Sequence, residues 1–304
     1  MPRMSYWSFS EVQMKTIKQL IADRYAYGRA IREIRREERT DEVYSKFPAL
    51  KAMDDELIAI RSKRMIAAID HDNVAQKICE SDEHQLLARR EEFIKEHRID
   101  PGFDKEMPVC AECGDTGFVR MNKGYDRVCD CMKDLVVECF DSCGLKDYAS
   151  YSNTALDMDM FGDKEHRKEV RRRLTSAIIE PDRLGMPLLL YVDKVRSGKT
   201  FLAVCMVKTA ILLGKSAAYQ KCDDLRSLSA QDLRFVSDCE FLVLDDYSGA
   251  VTHKADNASA LNNILESRIA KRLPTVIVSS SSKEVLVEES DVRIAGKLNK
   301  ADLV

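Results

Sequence analysis

The sequence lacks any apolar run that approaches the ~20 residues of a membrane-spanning helix. Residues 1–13 contain no apolar segment of the kind that a secretory signal requires, so we expect a cytoplasmic protein with no membrane partner. An excess of one charge is lacking too, because 48 basic residues stand against 51 acidic ones. The net charge of −3 excludes a globally basic nucleic-acid coat but permits a local basic patch.

Composition and periodicity change twice along the 304 residues and divide the chain into three regions. Residues 1–100 carry apolar residues at helical spacing and predict a helical partner-binding region. Its predicted helices cover residues 9–39, 54–79 and 84–97. Residues 101–148 combine glycine with cysteine and lose the helical period. Residues 149–304 alternate helical segments with four short apolar runs, which predicts an α/β domain with a parallel sheet.

Four of the ten cysteines are clustered in the middle region, as Cys110-x-x-Cys113 and Cys129-x-Cys131. Two thiolates at such spacing can converge on one ion, and four in a chain without a secretory signal suit a closed, structural Zn²⁺ site. So short a segment has little core of its own, and we expect metal binding to fold it. An iron–sulfur cluster or four unliganded thiols are the alternatives. If one of these four cysteines does not bind the metal, Cys139 and Cys143 are the next candidate ligands.

A strand-like run at 187–192 is followed by a short loop and then by an apolar helical segment. The loop ends in Ser197, Gly198, Lys199 and Thr200, which match the end of the GxxxxGK[ST] phosphate-loop pattern. In that pattern Lys199 reaches the β- and γ-phosphates of ATP, and the Thr200 hydroxyl holds Mg²⁺. Backbone amides at the start of the helix cradle the phosphates.

Two residues depart from the phosphate-loop pattern. Asp193 occupies the position of the first glycine, and Arg196 stands where many such loops carry another. Glycine there supplies unusual dihedral angles and leaves room around the phosphates. Asp193 also adds negative charge near anionic oxygens, so the sequence predicts a weakened nucleotide site.

A second motif, which is acidic, follows 45 residues after Thr200 of the loop. The apolar run Phe241–Leu244 ends in Asp245 and Asp246. Asp245 at the tip of the strand is expected to act on Mg²⁺, directly or through water, and Asp246 to activate the attacking water. An acidic turn after a buried strand is the alternative interpretation.

These motifs together resemble the bacterial replicative-helicase loader family, the DnaC, DnaI and IstB group of AAA+ ATPases. The likeness covers roughly residues 40–300. It rests on Cys-x-x-Cys-x-Asp-Thr-Gly at 110–117 with the Cys-x-Cys pair, and on the stretches 198–203, 242–246 and 263–277. The order of a cysteine cluster and a downstream phosphate loop makes the resemblance fairly specific.

The resemblance implies an AAA+ P-loop domain that binds ATP and single-stranded DNA, and that can self-associate into a homo-oligomer. The N-terminal region would dock on a hexameric replicative helicase and help to deliver that ring to DNA. The implied nucleotide-binding residues are Asp193, Arg196, Ser197, Gly198, Lys199, Thr200, Phe201 and Asp245.

The chain departs from this family at two further positions. The family usually shows Thr-Ser-Asn after its fourth strand, whereas this chain has Val-Ser-Ser, so the polar sensor falls to Ser280. The arginine that the family uses in trans has no clean counterpart; the candidates are Arg268, Arg293 and Lys297. These departures predict slow or absent ATP hydrolysis, with nucleotide binding retained through Lys199 and Thr200.

Two other functions stay open at this point. The first is a non-hydrolysing adaptor of phage or mobile-element type, and the second is an IstB-like transposition helper ATPase. The basic run at 164–173 is either a solvated helix face or a strip that contacts DNA phosphates.

Overall fold

The computed structural model describes residues 14–122, 124–152, 164–250 and 255–304. The chain forms two compact units. Arg24–Ala111 make up one, and Glu112–Val304 make up the other together with the described residues that precede Arg24. No helix in the described part of the chain has both the length and the apolar character to cross a bilayer.

The first unit is built from three helices and confirms the predicted helical N-terminal region. They are α1 (Ile17–Lys46), whose first turns belong to the second unit, α2 (Pro48–Ile69) and α3 (Asn73–Glu96). Proline is favoured at the first position of a helix, and Pro48 starts α2 immediately after α1 ends. The buried core of this unit contains Leu50, Ile94, Ile99 and Phe103.

The predicted helix over 54–79 is wrong, because the chain reverses within it. Helix α2 ends at Ile69, and His71 adopts a left-handed conformation with φ of 56°. The Asp72 carboxylate then accepts hydrogen bonds from the backbone amides of Val74 and Ala75, which caps the start of α3. Apolar spacing alone missed this turn, because the period resumes on both sides of a three-residue connection.

The second unit contains a five-stranded parallel sheet; the alternating pattern predicted a parallel sheet with four of these strands and missed β7. The strands are β3 (Leu188–Val192), β4 (Ala217–Lys221), β5 (Phe241–Tyr247), β6 (Thr275–Ser279) and β7 (Asp302–Leu303). Their order across the sheet is β4-β5-β6-β3-β7, so β6 lies between the strand of the phosphate loop and the strand of the two aspartates. The carboxyl ends of all five strands therefore meet at one edge of the sheet.

Helices surround this sheet and bury it. They are α5 (Lys164–Ile179), α6 (Lys199–Leu212), α7 (Ala230–Asp238), α8 (Ala255–Ala270), α9 (Lys283–Glu289) and α10 (Val292–Leu298). Apolar side chains along β3 are almost completely buried, as expected for a central parallel strand. Helix α6 is apolar nearly all round and is likewise buried along most of its length.

A small antiparallel hairpin and a short helix precede the sheet. The hairpin pairs β1 (Phe118–Arg120) with β2 (Asp126–Val128), and α4 (Lys133–Phe140) follows it. The start of α1 belongs to the same unit, and its residues Ile17, Leu20 and Ile21 are buried.

Candidate functional site

The chain turns from β3 into α6 through a loop with two left-handed residues. Gly198 immediately precedes α6 with φ of 84°, and Arg196 has φ of 61°. Glycine adopts such angles without strain, whereas a residue with a Cβ atom does so at a cost. Arg196 therefore stands at a position that favours glycine. The loop is followed directly by the first backbone amides of α6. Such amides at the start of a helix are suited to bind an anion.

A cleft of about 360 Å³ opens beside this loop at the carboxyl edge of the sheet. Besides Tyr151 and Val195 it is lined by most of the residues that the sequence predicted for nucleotide binding and catalysis. These are Arg196, Ser197, Gly198, Lys199, Thr200, Phe201, Asp246 and Ser280. The structure thus brings together residues from the ends of three strands that are up to 84 positions apart in the chain.

Lys199 is held by the loop itself. Its ammonium group donates hydrogen bonds to the backbone carbonyls of Asp193 at 2.6 Å and Lys194 at 2.7 Å. Burial lowers the pKa of this lysine, and the nearby carboxylates of Asp193, Asp245 and Asp246 oppose that shift. A phosphate group in the cleft would offer the ammonium a charged acceptor in place of two neutral carbonyls.

The two aspartates at the end of β5 have different surroundings. Asp245 is buried, and its carboxylate accepts hydrogen bonds from the Tyr219 hydroxyl at 2.7 Å and from the Asp246 amide at 2.8 Å. Burial and the Asp245 charge raise the pKa of Tyr219 well above its ordinary value, so this phenol is a stable proton donor. Asp246 lines the cleft, whereas the buried Asp245 does not.

A break in the strand register places Asp246 in the cleft. Pairing between β5 and β6 shifts between Leu244 and Tyr247, and Asp246 has φ of 55°. Such a bulge inserts an extra residue and re-aims its side chain. The exposed carboxylate of Asp246 can therefore act directly on a ligand in the cleft. Asp245 could act on that ligand only indirectly.

Aromatic side chains form one wall beside the phosphate loop. Tyr151 stacks on Phe201, the second residue after Lys199, with ring centroids 4.5 Å apart. Tyr148 packs against Tyr219, and their hydroxyl groups lie 3.1 Å apart. The Lys208 ammonium donates to the carbonyls of Tyr148, Ala149 and Tyr151, which fixes this segment on α6.

Arg268 has a role that the sequence did not suggest. Its side chain is 0% exposed, so it cannot reach a neighbouring molecule as an arginine acting in trans must. The guanidinium donates to the Thr275 hydroxyl and to the carbonyls of Val236, Cys239 and Pro274. Thr275 begins β6, so Arg268 lies at the amino edge of the sheet, opposite the cleft. The structure therefore assigns it to holding the fold together.

Of the other two candidates for this arginine, Arg293 is exposed on α10 beside Asp291. Lys297, on the same helix, donates to the Asn262 side-chain carbonyl at 2.8 Å. Neither lines the cleft of its own chain.

We predict that Arg268→Met destabilises the protein without changing the nucleotide affinity of the folded molecules. The substitution leaves three buried carbonyls and a hydroxyl without their donor, which should lower the free energy of unfolding by about 3 kcal/mol. Urea unfolding measures this loss. Arg293→Met is the matched control on an exposed residue, and it should change the stability by less than about 0.5 kcal/mol. Equal stabilities of the two variants would contradict the structural role.

The four clustered cysteines converge as the spacing predicts. Their sulfur atoms all lie within 4.8 Å of one another, and those of Cys113 and Cys131 are 3.6 Å apart. Four ligands at 2.3 Å around tetrahedral Zn²⁺ place their sulfurs about 3.8 Å apart. Cys110, Cys113, Cys129 and Cys131 could therefore hold zinc with little rearrangement.

Local hydrogen bonds support this cysteine cluster. The Cys129 amide donates to the Gly117 carbonyl at 2.8 Å, which ties the two cysteine pairs together through the backbone. The Thr116 hydroxyl donates to the Cys113 carbonyl at 2.7 Å. The next candidate ligands lie elsewhere: the sulfurs of Cys139 and Cys143 are 4.0 Å from each other, and neither joins the cluster.

Most of the basic run at 164–173 is a solvated face. Lys168 pairs with Glu165, and Arg172 pairs with Glu169, each three residues apart on α5. Arg167 differs from them, because it is buried against the phosphate loop. Sequence reasoning missed it, because one buried position within a charged helix leaves no trace in composition.

No protein-family model matches the chain, and no curated protein matches it. Several solved structures resemble about half of it. AMPPCP-bound DnaA from Aquifex aeolicus is 17% identical, with a TM-score of 0.43, over 51% of this chain and 49% of that one. A DnaI structure is 17% identical, with a TM-score of 0.42, over 52% of this chain and 92% of that one.

Domain III of DnaA from Thermotoga maritima is 12% identical, with a TM-score of 0.39, over 48% of this chain and 64% of that one. The chain thus matches about half the length of the Aquifex DnaA structure.

Proposed function

We propose that the chain is an ATP-binding protein of the helicase-loader type, which assists a hexameric replicative helicase onto single-stranded DNA. The observation that carries this proposal is the convergence of Lys199, Thr200, Asp246 and Ser280 on one cleft. Together with the cysteine cluster upstream, this cleft repeats the order of motifs on which the resemblance to helicase loaders rests.

The residues present fit a nucleotide with Mg²⁺. The hydroxyl oxygen of Ser197 is buried beside the cleft and has no hydrogen-bond partner among the described residues, so it is available to a phosphate oxygen. Lys199 and the first amides of α6 would hold the β- and γ-phosphates. The Thr200 hydroxyl would hold Mg²⁺, with Asp245 acting through a water molecule. Bound Mg²⁺ supplies charge neutralisation for phosphoryl transfer.

Asp246 is the residue best placed to orient an attacking water, and Ser280 is the sensor candidate beside it. Ser280 has a shorter side chain than the asparagine expected from the family resemblance, which weakens its hold on that water. Losing one well-placed transition-state donor costs roughly 3 kcal/mol, or about a hundredfold in rate. We therefore propose that ATP binds and is hydrolysed slowly.

The helical unit offers a surface for the protein partner. Exposed apolar side chains flank the turn between α2 and α3, and we call them the hairpin ridge. The ridge consists of Met65, Ile66, Ile69, Val74 and Ile78. Exposed apolar residues grouped in this way are typical of protein-interaction sites. We propose that the hairpin ridge docks on the helicase.

We expect the double substitution Met65→Asp with Ile69→Asp to weaken binding to a hexameric replicative helicase at least ~tenfold, because it places charge in an apolar contact. Met107→Asp is the matched control, since Met107 is an exposed methionine of the same unit outside the ridge. A pull-down with titrated helicase measures both variants. Unchanged binding by the double variant would show that the partner docks elsewhere.

A calorimetric titration with ATP and Mg²⁺, followed by measurement of phosphate release on the same sample, tests the proposed activity. We expect weak binding and turnover well below the ~1 s⁻¹ of an ordinary enzyme, with and without single-stranded DNA. Turnover at ~1 s⁻¹ or faster would contradict the weakened site. Absence of binding would contradict the nucleotide site altogether.

The non-hydrolysing adaptor is the second candidate, and one observation favours it. Lys199 already has two carbonyl partners within the loop, so nucleotide must displace them. An adaptor would bind nucleotide and the helicase without any phosphate release. The same titration distinguishes the two candidates.

A further inference from the structure

We infer that buried Arg167 and partly exposed Asp193 form a clamp that closes the phosphate loop in place of its missing glycine, which makes Arg167 a positioning residue of this site. The inference deepens the proposed function and rests on it for the identity of the ligand, a nucleoside polyphosphate. The contacts within the loop carry the clamp itself.

Asp193 occupies the glycine position with its carboxylate turned out of the cleft. One carboxylate oxygen accepts a hydrogen bond from the Lys194 amide at 2.8 Å, and the other lies 3.6 Å from the Arg167 guanidinium. The Asp193 amide donates to the Ser279 carbonyl at 3.3 Å, which anchors the loop to the end of β6. Of the loop residues, those that line the cleft begin at Val195. The negative charge is therefore directed toward a cation and away from the place for phosphates.

Arg167 reaches the loop from α5. Its side chain is only 4% exposed, although its neighbours in the basic run lie on a solvated face. The nitrogen that faces Asp193 also donates a hydrogen bond to the Ser197 carbonyl. One guanidinium thus joins both ends of the loop, at positions 193 and 197.

Two cations close the loop from different directions. Arg167 holds it from the side of α5, and Lys199 holds it from the side of α6 through the carbonyls of Asp193 and Lys194. Lys199 can turn to a phosphate only if the loop keeps its shape without it. The Arg167 contacts supply that shape, so Arg167 should determine nucleotide affinity without touching the nucleotide.

The clamp predicts that replacing Asp193 by glycine weakens nucleotide binding. Asp193→Gly removes an unfavourable charge only if that charge faces the phosphates. Here it removes the carboxylate that faces the Arg167 guanidinium, and breaking a buried ion pair from one side is destabilising. Arg167→Met instead removes the cation that faces the Asp193 carboxylate. Removing both partners together loses the same contact only once, so the two effects should not add.

The test is a double-mutant cycle in the full chain with Asp193→Gly, Arg167→Met and the double variant. Trypsin cleaves after lysine and arginine, and the exposed Lys194 and Arg196 report loop opening without any nucleotide. We expect each single variant to be cleaved there about tenfold faster than the unmodified chain. The increase in the double variant should be smaller than the product of the two single increases. Arg172→Met, an exposed position on the same helix, is the control and should leave cleavage unchanged.

Titration with a fluorescent ADP analogue and Mg²⁺ gives the second measurement on the same four proteins. We expect each single variant to bind about tenfold more weakly and the double variant to bind no worse than either single variant. The clamp would be overturned if the effects of Asp193→Gly and Arg167→Met were independent in both measurements. It would also be overturned if Arg167→Met left cleavage and affinity unchanged, as expected for Arg172→Met. If Arg167→Met does not fold, Arg167→Lys takes its place in the cycle under the same criterion.

The two measurements separate the clamp from the proposed function. Coupled cleavage in a chain that binds no nucleotide would support the clamp and contradict the nucleotide site. Nucleotide binding with independent effects of the two substitutions would do the reverse.

Discussion

Replacing Cys110 and Cys113 together by serine should abolish zinc binding, which we expect at one equivalent in the unmodified chain. The four sulfur atoms already lie within 4.8 Å of one another, close to the spacing that a tetrahedral ion requires. Serine is a poor ligand for zinc, and two remaining thiolates cannot complete the shell. Because a structural zinc site contributes about 10 kcal/mol or more to local folding, the segment 110–131 should unfold with the loss of the metal.

Metal analysis of the purified protein measures the expected loss. Cys79→Ser is the matched control, since Cys79 is a partly exposed cysteine of α3 outside the cluster, and it should retain the full equivalent. A full equivalent of zinc in the Cys110→Ser, Cys113→Ser variant would contradict the assignment. Visible absorption with iron in place of zinc would identify the iron–sulfur alternative.

Lys199→Ala should reduce nucleotide affinity at least ~100-fold, because hydrogen bonds between charged groups are worth about 1.5–3 kcal/mol and the lysine is expected to contact two phosphates. The substitution also removes the donor to the carbonyls of Asp193 and Lys194, while the Arg167 contacts that shape the loop remain.

Calorimetric titration with ADP and Mg²⁺ gives the affinity of the Lys199→Ala variant. Lys194→Ala is the control, because Lys194 is an exposed lysine five residues away in the same loop. Its removal should change the affinity by less than about threefold, as is usual for an exposed charge. Similar affinities of the two variants would show that the nucleotide does not use the loop.

The sequence was sufficient for those features that depend on local patterns. Alternating helical and apolar segments predicted the parallel sheet, because each strand and the helix after it are contiguous in the chain. The glycine and lysine of the loop predicted the start of α6 for the same reason. The cysteine spacing predicted the cluster, since all four members lie within 22 residues.

Features that depend on distant partners could not be predicted. Arg268 looked like a free arginine, because its acceptors come from α7, β6 and the residues beside them. Arg167 looked like part of a solvated helix, because the loop that buries it lies about 30 residues further on. The Tyr219 hydrogen bond to Asp245 likewise joins two neighbouring strands and follows from their register.

The three hydrogen bonds from Lys208 have a practical consequence for dividing the protein. They attach the carbonyls of Tyr148, Ala149 and Tyr151 to α6, while Tyr148 meets the tyrosine that holds Asp245. A recombinant fragment that starts at residue 150 would lose two of these carbonyls and the Tyr148 ring. The buried Lys208 would then keep only one acceptor from this segment, the Tyr151 carbonyl. The shortest nucleotide-binding fragment should therefore begin before Lys146, although the change in composition suggests a cut at residue 149.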